Sequence, residues 1–190
     1  MSNINILRNE ESVVQVVQSL KDFRQAANDL CGKALNDAKG QLHPLLRNVE
    51  VDSLDRRYEF VLAFKLALER RIAQKLAAWQ PGVQAVFTFD KTWMKHPKSW
   101  DSSIHLLVKV PRLSEALKTL GRKLDRSLVK HLKQLGWSRF RTCRSILDVQ
   151  QVTPNELRHG ISYGAMFCAV YNIPVKVWPQ NGRRHEGSRR

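Results

Sequence analysis

Residues 83–110 read VQAVFTFDKTWMKHPKSWDSSIHLLVKV, and the spacing of their apolar side chains decides the fold class. Val83, Ala85, Phe87 and Phe89 alternate with Gln84, Thr88 and Asp90, the two-residue repeat of a strand. Residues 104–110 (IHLLVKV) form a second strand candidate stopped by Pro111, and the polar stretch from Asp90 to Asp101 joins the two. Upstream the period becomes helical. Val13, Val16, Val17, Leu20, Phe23, Ala27, Leu30 and Leu35 predict a helix over 11–38, with Asn9 or Ser12 as its cap and Gly40 beyond its end. His43-Pro44 interrupts regular structure, so 41–53 is expected to be a loop or short turn. Leu54, Tyr58, Val61, Leu62, Leu68, Ile72, Leu76 and Trp79 predict a second helix over 53–79, ended by Pro81-Gly82.

Downstream, Leu113, Leu117, Leu120, Leu124, Leu128, Leu132 and Leu135 predict a third helix over 113–135, with Ser114 as cap and Gly136 as stop. Residues 144–152 form a third strand candidate closed by Thr153-Pro154. Residues 160–178 are apolar enough to be buried, with a short helix in the first half and a last strand in Val175-Lys176-Val177-Trp178. The tail from Pro179 has no apolar anchor and is expected to be disordered. The fold class is therefore α+β: a helical N-terminal segment followed by a small mixed α/β domain with a basic helix. The expected division is a neutral helical segment at 1–52, a basic α/β domain at 53–178 and a disordered basic tail at 179–190.

Charge is the outlying property. The chain of 190 residues carries 32 Lys and Arg against 17 Asp and Glu, a net +15. Residues 1–60 hold 8 basic and 9 acidic groups, whereas 61–190 hold 24 basic and 8 acidic. A neutral segment for packing or partners joined to a basic segment for binding a polyanion fits this asymmetry, and nucleic acid is the expected polyanion. No apolar run approaches the roughly 20 residues that span a bilayer. The N-terminus, MSNINILRNEES, lacks a basic and then apolar leader, so no secretion is expected. The three cysteines, Cys31, Cys143 and Cys168, are odd in number and far apart, which fits neither a disulfide framework nor a zinc pattern. A cytoplasmic protein without a membrane partner is the expectation.

Within the third helix, Lys118, Arg122, Arg126, Lys130 and Lys133 recur at steps of four, four, four and three residues beside the leucine face. A four-residue step rises about 6 Å, close to the spacing of phosphates along a nucleic-acid strand. Between Lys109 and Arg144 there are eleven basic residues and two acidic ones, Glu115 and Asp125. A merely solvated helix face normally mixes signs. Past the helix, Arg139, Arg141 and Arg144 alternate with Trp137 and Phe140, which could stack on unpaired bases or cover the helix end. Lys91, Lys95 and Lys98 stand with Trp93 and Trp100 in a loop of the same kind. The six histidines show no metal-ligand spacing, His105 reads as a hydrogen-bonded core residue, and Cys143 among arginines reads as a small hydrophobe. No catalytic residue, metal site or cofactor motif is assigned.

Residues 83–153 resemble the minimal nucleotidyltransferase fold in degenerate form. The strand Asp101-Ser102-Ser103-Ile104-His105-Leu106-Leu107-Val108 resembles that family's aspartate-bearing strand, and Ile146-Leu147-Asp148-Val149-Gln150 resembles its third-carboxylate strand. The resemblance implies a metal-binding carboxylate at Asp148. Ser103 and His105 stand where two further aspartates belong, and Asp90-Lys91 replaces the Gly-Ser turn. Phosphoryl transfer through two metals about 4 Å apart needs closely placed carboxylates, which this pattern lacks. The reading is thus a non-enzymatic RNA- or DNA-binding protein that grips phosphates through the basic helix. It would be a subunit of a bacterial ribonucleoprotein or DNA-processing complex, with a protein partner on the N-terminal helices. The alternatives are a divergent phosphoryl-transfer enzyme of the nucleotidyltransferase type and an interaction module whose basic face docks an acidic partner.

Overall fold

The computed structural model describes residues 20–42, 44, 47, 57–89, 104–136, 143–169 and 173–179. It is an α+β fold, with helices ahead of a mixed four-stranded sheet. In chain order the elements are α1 (Leu20–Gln41), α2 (Tyr58–Trp79), β1 (Ala85–Phe89), β2 (Ile104–Lys109), α3 (Glu115–Gln134), β3 (Leu147–Val152), α4 (Pro154–His159), a 3-10 turn (Ser162–Cys168) and β4 (Val175–Trp178). The sheet order is β3-β2-β1-β4. β1 runs antiparallel to both of its neighbours, while β2 and β3 are parallel and joined across α3. A parallel pair needs such a crossover, and α3 supplies it.

Pleating sorts each strand. Val86, Thr88, Ile104, Leu106, Val108, Leu147, Val149 and Gln151 share one face, since Val86 pairs with Val108, Thr88 with Leu106, and Leu106 with Val149. On that face one continuous core joins Phe23, Ala27, Leu30 and Cys31 of α1, Phe64, Leu68 and Leu76 of α2, and Leu117, Leu124 and Leu128 of α3. The helix expected inside the neutral segment therefore shares its core with the sheet. Arg71 of α2 clasps Asp37 of α1 through two hydrogen bonds of 3.0 and 3.1 Å. Ala85, Leu107 and Val152 are buried as well, but on the other face and outside that core. There Phe167 of the 3-10 turn meets Phe87 edge-on, with ring centroids 4.9 Å apart.

Several expectations shift. Gly40 lies inside the last turn of α1, not beyond it. The third helix begins at Glu115, so Leu113 precedes it and stands 58% exposed instead of joining the leucine face. The third strand begins at Leu147, because the Asp125 carboxylate captures the N–H groups of Ile146 and Leu147 at 2.8 and 2.9 Å. The unexpected α4 is set by Thr153 and Glu156, each of which accepts the other's backbone N–H. Residues 160–178 are not a buried segment: Ile161, Ile173 and Val175 are about half exposed, since a short turn and an edge strand each present one side to the fold. The expected tail beyond Pro179 and the start of the first helix lie outside the described residues.

Candidate nucleic-acid interface

α3 is fixed at both ends by what the sequence places there. Ser114 accepts the N–H of Leu117 at 3.3 Å, and Gly136 stops the helix in the left-handed region at φ +76°. The Gln151 side chain, buried in β3, clamps the helix start: it accepts the Ser114 N–H at 2.8 Å and donates to the Ser114 carbonyl at 2.7 Å. About two turns further on, Gly121 lets the helix approach the sheet, since a Cβ there would lie 3.1 Å from Val149. The helix is thereby held rigidly to the strand beside it.

On this rod Leu117, Leu124, Leu128 and Leu132 are fully buried, and Lys118, Arg122, Arg126, Lys130 and Lys133 are all exposed. The two acids are spent. Asp125 is turned toward β3 and holds backbone N–H groups, while Glu115 pairs with Lys118 at 2.6 Å, a contact that keeps the Glu115 carboxyl below its usual range. Among the described residues no ion pair involves Arg122, Arg126, Lys130 or Lys133. Lys123, outside the stripe, lies over the Phe23 ring at 5.6 Å.

Because an α-helix has 3.6 residues per turn, the stripe drifts by about 40° at each four-residue step. It starts at a groove of about 520 Å³ between α3 and β3, lined by Lys118 and Arg122 together with Glu115, Asp125, Ser145, Asp148 and Gln150. Near its far end Lys130 lines a second groove, of about 260 Å³, between α1 and α3, together with Arg24, Asn28, Ser127 and His131. Burial holds the His131 imidazole below its usual pKa, so this groove takes its charge from Arg24 and Lys130. Arg24 and Asn28 were not among the expected contacts; they became visible only when α1 docked on α3.

The sheet brings together a further pair. His105 and Asp148 are register partners on β2 and β3, and His105 Nδ1 lies 3.1 Å from Asp148 Oδ2. Gln150 donates to the other Asp148 oxygen at 2.7 Å. These bonds hold the Asp148 carboxyl below its ordinary pKa. His105 is hydrogen-bonded as expected, but its side chain is 24% exposed instead of sealed in a core. Among the described residues no three His, Cys, Asp or Glu side chains gather as a metal site. Arg144 is exposed beside Ser145, next to the larger groove. Lys91, Lys95, Lys98, Arg139, Arg141 and the stacking candidates Trp93, Trp100, Trp137 and Phe140 lie outside the described residues. Cys143 donates from Sγ to the Ser145 carbonyl at 3.1 Å and packs against the core. No described helix is long and apolar enough to cross a membrane. No protein-family model, curated protein or solved structure matches this chain.

Proposed function

We propose that this chain is a non-enzymatic nucleic-acid-binding protein that holds the phosphate backbone on α3. The observation that carries the reading is the stripe itself: exposed cations at near-phosphate spacing on a helix pinned to a sheet, with Asp125 turned away to backbone N–H groups and Glu115 paired with Lys118 alone. A helix held to a sheet presents its cations without reordering the backbone, and counterion release drives such contacts. Binding is then mainly electrostatic and weakly sequence-specific. Replacing Arg122, Arg126 and Lys130 together by Glu should weaken binding to a labelled oligonucleotide at least about tenfold with the melting temperature retained, because none of these side chains enters the core. Unchanged affinity in a folded variant would remove the helix from the interface.

The likeness to nucleotidyltransferases supports a shared scaffold only. Its favourable observation is that Asp148 sits beside position 105, where the family would carry a second carboxylate. His105 stands there, so transfer of labelled nucleotide with magnesium is not expected. Metal-dependent transfer by the wild-type protein would restore the enzyme reading, and flotation on anionic vesicles without nucleic-acid binding would favour an interaction module.

A further inference from the structure

We propose that the half-open end of the sheet face opposite the helices takes an unpaired base of the bound strand, against Phe89 and the His105–Asp148–Gln150 chain. This rests on the proposed function and adds to it a contact that only single-stranded nucleic acid can make.

Register places the groups. Phe89 pairs with His105 across β1 and β2, and His105 with Asp148 across β2 and β3, so the three side chains form one row on one face. The middle row of that face is closed by buried Leu107 and by Phe167 on Phe87. The end row stays half open, with side-chain exposures of 24% for His105 and 37% for Asp148. The Phe89 and His105 rings lie 5.3 Å apart and are tilted by 45°, so two aromatic side chains in contact line the end of the row. Asp148 fixes the imidazole at 3.1 Å and is itself fixed by Gln150 at 2.7 Å, so the row is ordered before any ligand arrives.

Chemistry then divides the strand. An anionic carboxylate and aromatic rings repel phosphate but suit a base, which offers a π-face and edge N–H donors. The cations lie on the other side of the β3 edge, where Lys118 and Arg122 line one groove with Glu115, Asp125, Asp148 and Gln150. A backbone running along α3 can therefore turn a base over β3 onto this row. A base in a duplex is held in its stack and cannot do so without unpairing.

The test is fluorescence anisotropy at one salt concentration, with a labelled 15-nucleotide single strand, an abasic strand of equal length and a duplex. Wild-type protein should bind the abasic strand about tenfold more weakly than the natural single strand, as expected for one lost stacking contact. Phe89→Leu and His105→Gln should weaken single-strand binding by about the same factor and leave duplex binding and the salt slope unchanged. The abasic comparison needs no variant, so it decides the matter even if a substitution unfolds the protein. Equal affinity for natural and abasic strands would overturn the inference while leaving the proposed function standing. No binding to any of the three polymers would overturn both.

Discussion

The side chain of Gln151 does more for this fold than its polarity suggests. It is 5% exposed and bonds both backbone groups of Ser114, so replacing it leaves a buried N–H without its partner and the Ser114 carbonyl with only the Lys118 N–H at 3.4 Å. Gln151→Leu should cost about 1–3 kcal/mol of unfolding free energy in a denaturant titration. A loss below about 0.5 kcal/mol would mean that water replaces the clamp at little cost. The pair His105–Asp148 gives a pH signature. Asp148 has its folded pKa lowered, first by the His105 hydrogen bond, so its contribution is present above the unfolded value of 3.8 and is lost as pH falls through the lower folded value. Denaturation midpoints at pH 6 and pH 3 should therefore differ less in Asp148→Asn than in wild type. Cys31 offers a third check. Burial pushes its thiol up to about 12, whereas Cys168 is exposed, so a thiol reagent near pH 8 should modify Cys168 quickly and Cys31 only on unfolding.

At the scale of elements, α3 was the most legible part of the chain. Its leucines and its cations follow the same helical period a fixed angle apart, and the period alone assigns one row to the core and the other to solvent. Ser114 and Gly136 mark its ends for local reasons that a sequence displays directly. The His105–Asp148 pair was not legible from spacing, because a separation of 43 positions conceals a parallel register that exists only once β3 has docked; only the nucleotidyltransferase resemblance set the two positions at one site. The capping box at Thr153 and Glu156 was readable from spacing, but the Thr153-Pro154 stop obscured it. Gly121 shows a conflict between local preference and packing. Alanine there gains roughly 1 kcal/mol of helix propensity but sets a Cβ 3.1 Å from Val149. With an overpacking cost of about 1–3 kcal/mol, Gly121→Ala should be net destabilising, and in a Val149→Ala background it should become neutral or stabilising. Equal effects in both backgrounds would show that the close approach of α3 to β3 does not limit the site.

At the scale of the molecule, the helices cover one sheet face with a shared core, and the positive stripe winds across the outer surface of α3 from the β3 groove to the α1 groove. The binding account therefore depends on how many phosphates that surface neutralises. The measurement that tests it most directly is the affinity for a single-stranded oligonucleotide as a function of salt. With about five phosphates engaged, the logarithm of affinity should fall against the logarithm of salt at a slope of about −3.5. Reversal of Arg122, Arg126 and Lys130 should bring that slope to about −1.4. A slope close to zero with affinity retained, or one that the reversal leaves unchanged, would contradict phosphate binding by α3.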